Sequence, residues 1–274
     1  MKSFAAFRAG WMLVLALVLA PVQAAVQVQV AGNTATADVD IGGVQAELIL
    51  TFDAVDALSA DKLGIKAQLV SLTDPLLLLR LPSASLTSIP AALPLLITVE
   101  PPLLGGLAFN NTVRVEVHTH ALPYTAGSQL RLFKAPLGGT FVDITDEVAP
   151  GSVRTRGTIG GFSEFLVLLD LRPTSSVVAE KFSALNARLG AVPTAQRGAL
   201  SERLAAAQAA VSVGQYAAAI AALDEFRALV SQDAGGAIRN RWSTTQRGGN
   251  VAGDLLAGAA SLKFSIGYLR DYGD

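Results

Sequence analysis

The sequence predicts an antiparallel all-β sandwich over residues 25–172, followed by a small all-α helical bundle over residues 173–274. Three observations lead there. Residues 26–52 alternate apolar and polar side chains with period two around glycine turns. Roughly ten short strand-like runs then recur with Gly, Pro and Asn punctuation, the rhythm of a sandwich rather than of alternating β and α units. After Arg172-Pro173 alanine becomes dense and the apolar spacing changes to that of helices.

Residues 1–24 stand apart from this plan. Lys2 and Arg8 precede an apolar run from Trp11 to Val22, and Val22-Gln23-Ala24 places compact residues before a cut after Ala24. That is the pattern of a secretory signal peptide. A membrane span needs about 20 apolar residues, and the later run Leu76-Leu77-Leu78-Leu79 stops at Arg80. The expectation is an exported protein, periplasmic or secreted, with no transmembrane segment after signal cleavage. The chain has no cysteine, which excludes disulfides, thiolate nucleophiles and thiolate-held metals. Losing Lys2 and Arg8 takes the net charge from −1 to −3, so no basic bulk favours nucleic acid. Hydrophobic residues make up 51% of the chain, enough for a stable core without crosslinks.

The stretch "VQVQVAGNTATADVDIGGVQAELILTF", residues 26–52, fixes its own register. A turn at Gly42-Gly43 sets Ile41 against Val44, Val39 against Ala46 and Ala37 against Leu48. A turn at Gly32-Asn33 sets Val30 against Ala35 and Val28 against Ala37. Both turns put the apolar residues on one face, and a one-residue slip would expose them. The same register sets Asp38 opposite Glu47, a like-charge pair that a divalent cation such as calcium could neutralise and that otherwise belongs to a solvated acidic face. Residues 53–64 read as a loop with Ser59 as a cap; Asp53, Asp56 and Asp61 lack the spacing of a calcium-binding EF-hand loop. Strands are expected at Ile65–Leu72, Leu76–Leu81 and "LLITVE", with a proline-rich connection between the last two and the loop "PPLLGGLAFNN" after them. "TVRVEVHT", "SQLRLFKA", "TFVDI", "SVRTRGTI" and "EFLVLLDL" complete the sandwich.

In the helical part, Leu200, Leu204, Ala207 and Val211 fall on one face, and Tyr216, Ile220, Leu223, Phe226 and Val230 on another. Gly214 between them predicts an antiparallel pair. Val177–Leu189 and Ala252–Leu269 supply two further helices, with Pro193-Thr194 as a start signal.

Two regions resemble known modules. "LRLFKAPLGGTFVDIT" and the later "GGFSEFLVLLD", with Phe141, Phe162, Ser163 and Phe165, are similar to the closing strands of immunoglobulin-like sandwich modules of bacterial surface proteins. Residues 180–266 resemble FIMAH-type helical modules of bacterial extracellular proteins, through Gly214, Leu223, Phe226, Val230, Gly235-Gly236 and Asn250; the insertion "RNRWSTTQRGG" departs from that pattern. The whole chain looks like a member of a proteobacterial secreted family of unknown function. The resemblance implies architecture and export, and brings no catalytic residues with it.

The chemistry-bearing residues are few. There is no Gly-x-Ser-x-Gly elbow and no phosphate-binding glycine loop, and Ser163 in "GGFSEF" runs into an apolar strand. A paired-carboxylate glycosidase would take its acids from distant positions, but aromatic residues are only 6% of the chain, thin for a sugar-stacking cleft. "IRNRWSTTQR" interleaves Arg239, Arg241 and Arg247 with Trp242, which either stacks on a polymer or anchors the loop to the rest of the fold. The two parts carry opposite charge: nine basic against fourteen acidic residues over 25–172, ten against eight over 173–274. Both histidines lie in "EVHTH", residues 116–120. Val113, Val115 and Val117 face the core, so Arg114, Glu116, His118 and His120 face outward together. His118 and His120 are candidate ligands of zinc or copper with Glu116 as the third, and the pair could equally sense pH. The function expected is that of a non-enzymatic binding or structural module of the cell envelope or extracellular space. It would need no cofactor, and its partner would be a protein or an envelope polymer rather than nucleic acid. The alternative is a metal-binding protein or hydrolase using the sheet face around His118 and His120.

Overall fold

The structure is a computed structural model that describes residues 26–150 and 152–274; the expected signal peptide lies outside the described residues. The chain begins with the meander: β1 (Gln27–Ala31), β2 (Thr34–Ile41) and β3 (Val44–Asp56). Val30 faces Ala35, Ala37 faces Leu48 and Val39 faces Ala46, the pairing the alternation demands. Gly42 and Gly43 make the second turn at φ +57° and +86°, left-handed values that a β-carbon disfavours. The loop expected at 53–64 is shorter than the sequence implies. β3 continues past a register shift between Phe52 and Ala54, because the Asp53 carboxylate accepts hydrogen bonds from the Thr112 backbone N–H and hydroxyl, at 2.9 and 2.5 Å. Ser59 precedes a single 3₁₀ turn, Ala60–Lys62, without capping it through its side chain.

β4 (Ile65–Leu69) follows, and the strand expected at Leu76–Leu81 is replaced by a helical turn, α1 (Pro75–Leu78). Asp74 accepts from the Leu76 N–H at 2.9 Å and Pro75 takes the first helical position, a start signal that the run of leucines, with no alternation, cannot override. Then come β5 (Thr87–Ser88), β6 (Leu95–Val99), β7 (Ala108–Thr119), β8 (Leu130–Ala135), β9 (Val142–Asp143), β10 (Thr145–Ala149), β11 (Val153–Ile159) and β12 (Glu164–Asp170). β7 starts inside the segment expected as a loop. One sheet has the order β1-β2-β3-β7-β11-β10; the other runs β4-β6-β12-β8-β9, with β5 on β12. All their pairings are antiparallel.

The two sheets share one apolar core. Leu48, Leu50, Phe52, Val113, Val115 and Val117 of the first meet Ala67, Ile97, Leu132, Phe165 and Val167 of the second. The outer face of the second sheet is also covered, by Leu77, Leu81 and Ile89 on Leu96, Phe133, Leu166 and Leu168. This double burial explains why "EFLVLLDL" is a nearly continuous apolar run.

Four longer helices follow: α2 (Thr174–Arg188), α3 (Thr194–Ser212), α4 (Tyr216–Asp233) and, after a last strand β13 (Arg241–Ser243), α5 (Val251–Tyr272). Leu200, Leu204, Ala207, Leu223, Phe226 and Val230 bury the faces expected of α3 and α4. Together with Phe182, Leu185, Leu255, Leu262 and Ile266 they form the helical core. No helix among the described residues is long and apolar enough to cross a membrane.

The helical part is not a bead beside the sandwich. β13 pairs with β7, setting Trp242 opposite Phe109, so a strand from beyond residue 240 completes the first sheet. Trp242 stacks on Phe109 at 5.2 Å and meets Phe162 edge-on at 5.0 Å. The insertion that departs from the helical pattern is therefore the anchor, and its arginines meet acidic groups of the β part: Arg241 lies 2.8 Å from Asp56 and Arg247 lies 4.0 Å from Glu100.

Candidate functional site

α5 lies against β10, β11 and β7, and α2 packs beside it. Asn250 caps α5 by accepting from the Gly253 N–H at 3.0 Å, while its amide donates to the carbonyls of Asn111 and Gly160 at 2.7 and 3.0 Å. A β-carbon on Gly253 would sit 2.3 Å from the Asn111 carbonyl oxygen, so only glycine lets the helix start this close to the sheet. Further along, Lys181 of α2 donates to Asp143 at 2.6 Å and to the hydroxyls of Ser261 and Ser265 at 2.6 and 2.8 Å. Burial alone would raise the Asp143 pKa, but the Lys181 ammonium and then Arg131 hold its carboxyl below the usual carboxylate value. The seam is thus pinned at both ends by polar contacts.

Between these pins the seam holds a cavity of about 540 Å³, within the usual size of a small-molecule site. Pro82, Pro136, Phe141, Val142, Val177 and Ala257 give it apolar walls. Its charged groups come from four segments: Lys134 and Asp143 from the second sheet, Arg172 from the link, Glu180, Lys181 and Arg188 from α2, and Asp254 from α5. Asp143 and Lys181 bond to each other, and Arg172 bonds to Asp170 and Glu180 at 2.8 and 2.6 Å. Lys134, Arg188 and Asp254 make no side-chain hydrogen bond or ion pair among the described residues. Burial pushes the Lys134 ammonium down to about 8, against the pull of Asp254 and with the help of Arg188.

Sequence reasoning missed this site. One signal for it existed: period two puts Lys134 in phase with Leu130 and Leu132, a charge on the core face of its strand. Arg188 and Asp254 come from helices joined to that strand only by the tertiary fold.

The residues singled out in "EVHTH" are placed on the far face of the first sheet. Val113, Val115 and Val117 are buried as expected. Glu116 is buried too, because its carboxylate accepts from Arg154 at 2.6 Å and Arg156 at 2.5 Å. Burial would raise its pKa, and the two guanidinium bonds more than reverse that. Glu116 is therefore engaged by arginines and does not turn to the imidazoles. His118 is held at both nitrogens: Nδ1 lies 3.2 Å from the Glu47 carboxylate and Nε2 lies 2.5 Å from the Ser152 hydroxyl. The His120 ring stands 5.0 Å away, exposed and without a hydrogen bond among the described residues. No group of three His, Cys, Asp or Glu side chains arranged to hold a metal occurs among the described residues. Ser152 gave no sequence signal, since it sits in a turn remote from both histidines in the chain.

A family model described as "Family of unknown function (DUF6689)" matches residues 11–270, nearly the whole chain, so the protein belongs to that family. No curated protein and no solved structure matches.

Proposed function

We propose that this member of a family of unknown function is an exported binding module whose ligand occupies the seam cavity, and that the seam performs no chemistry. The observation behind this reading is a cavity of about 540 Å³ with apolar walls into which Lys134 and Arg188 bring charges that no protein group bonds. Lys134 is partly buried and Arg188 is exposed at the rim; a partly buried charge without a bonded partner is costly, and a ligand anion is the natural compensation. Of the charges that no protein group bonds, two are cations, Lys134 and Arg188, and one is a carboxylate, Asp254, which favours a ligand with a single acidic head and an apolar body. The lining contains no histidine, and the Ser163 hydroxyl donates to the Phe162 carbonyl at 2.5 Å, which favours binding over catalysis.

Export rests on the amino-terminal pattern of residues 1–24. We read the two sheets as an immunoglobulin-like sandwich, supported by Phe141, Phe162, Ser163 and Phe165, and the helices as a FIMAH-type module of a proteobacterial secreted protein.

The test is calorimetry of the mature chain with octanoate, octyl phosphate, octanol and octylamine. Binding of the two anions with weaker or no binding of the others is expected. Lys134→Met and Arg188→Met should each weaken binding about tenfold or more, the loss of one charge-assisted hydrogen bond. Equal affinity for all four compounds, or none for any, rejects this reading.

A further inference from the structure

We propose that Ser152, His118 and Glu47 form a nucleophile–base–acid relay on the outer face of the first sheet, and that it cleaves carboxylic esters carrying a positive charge. This site lies on a different face from the seam and does not depend on what the seam binds.

The geometry is that of acyl transfer. A nucleophile must lie within hydrogen-bond reach of a base whose second nitrogen is oriented by a third group. Ser152 Oγ is 2.5 Å from His118 Nε2, and His118 Nδ1 is 3.2 Å from Glu47 Oε2. Each residue comes from a different segment: Glu47 from β3, His118 from β7, Ser152 from the turn before β11. Glu47 and His118 are direct partners across the ladder, so the base is seated by the sheet rather than by a loop. Ser152 adopts φ +86°, a strained value for a residue with a β-carbon, and such strain gathers at sites where a side chain is aimed. Among the described residues only Ala57 and Asn111 share a positive φ without being glycine. Asn111 is held by its bonds to Asn240 and Asn250; Ser152 takes its φ in the turn that joins β10 to β11, which aims its hydroxyl at His118.

The surroundings set the substrate class. A shallow depression of about 500 Å³ on the Glu47 side of His118 is lined by Asp38, Asp40, Gln45, Glu47 and His120, and Ser152 borders the imidazole on its other side. Its carboxylates favour a cation on the acyl or alcohol part of the ester. The His120 ring, 5.0 Å from that of His118, is exposed and carries no hydrogen bond among the described residues.

The step balances without a further reagent. Ser152 Oγ bonds to the carbonyl carbon as its proton passes to His118 Nε2, while Nδ1–H donates to Glu47. The adduct collapses, the bond to the alcohol oxygen breaks, and His118 gives that oxygen the proton. Water then attacks the acyl-serine, loses a proton to His118, and the acid departs as Ser152 regains its hydrogen. Ser152 and His118 are the catalytic residues; Glu47 is a positioning residue.

The mature chain is treated with a fluorophosphonate and assayed with 4-nitrophenyl acetate and the betaine ester of 4-nitrophenol. A covalent adduct on the Ser152 peptide is expected, with hydrolysis at least about 10²-fold above that of Ser152→Ala or His118→Ala. Glu47→Gln should lower kcat with KM unchanged, and Glu47→Asp should restore part of it, a pattern that loss of packing would not produce. The betaine ester should be preferred. An unlabelled Ser152, or a Ser152→Ala chain as active as the original, overturns the relay. A labelled Ser152 indifferent to substrate charge overturns the substrate class.

Discussion

Lys134 places an ammonium where water is scarce, and folding bears the cost. Its pKa falls from 10.5 to about 8 in the fold. Between those values the unfolded chain holds the proton and the folded chain does not, so stability rises with pH across that window and reaches its low plateau below pH 8. Denaturant titrations at pH 7, 8.5 and 10 should show this slope, and Lys134→Met should abolish it. The same substitution should stabilise the chain at pH 7 by about 1–3 kcal/mol, read as a higher Tm, while ligand binding weakens about tenfold or more. A gain in stability with a loss in binding would separate a functional charge from a structural one. Asp143, on the neighbouring strand β9, gives a slope of the same sign in the acid range. Asp143 titrates below 3.8 in the fold, so its contribution is present above that value and is lost as the pH falls through the lower, folded one. Asp143→Ala leaves Lys181 buried and unpaired and should cost about 3–5 kcal/mol, whereas Asp143→Ala with Lys181→Met should cost less. A double-mutant cycle by thermal denaturation measures the difference. At this scale the sequence was half legible. The alternation told which way Val113, Val115, Val117 and the histidines point, because side-chain direction in a strand is local. It could not tell that Arg154 and Arg156 would enclose Glu116, or that Glu47 and Ser152 would bracket His118, because those meetings depend on which strands become neighbours.

Elements were legible where two signals agreed. In β1 to β3 the alternation and the glycine turns name the same register, and the sheet has that register. In α3 and α4 the apolar period and Gly214 name the same hairpin. They are misread where two signals conflict, as at Leu76–Leu81, where apolar content speaks for a strand while Asp74-Pro75 speaks for a helix start. The caps and anchors give sharper tests. Asn250→Ala removes the cap of α5 and both bonds to the sheet, and should cost about 2–4 kcal/mol, since a cap is worth about 1 and each buried carbonyl left unpaired costs about as much again. Gly253→Ala should cost at least as much by steric collision alone. Trp242→Ala should cost about 3–5 kcal/mol, the range for emptying a large aromatic site, and should expose Phe109 and Phe162 to a hydrophobic dye.

Across the whole molecule three apolar clusters are tied through the seam and through β13. Trp242, from the helical half of the chain, belongs to the core of the sandwich, so the halves should unfold together. Chemical denaturation followed by tryptophan fluorescence and by far-ultraviolet circular dichroism should give coincident transitions; separate midpoints would show independent domains. The strand order also bears on how the protein is made. The edge of β7 at Ala108–Asn110 waits for residues 241–243, more than a hundred positions later in the chain. A nascent sandwich therefore spends the synthesis or translocation of that whole interval with an unpaired strand edge and a bare Phe109 ring, the surface on which chains stick to one another. The hazard is one of timing: the interval is closed only when residues 241–243 arrive, and a chain cut short before residue 241 would never close it.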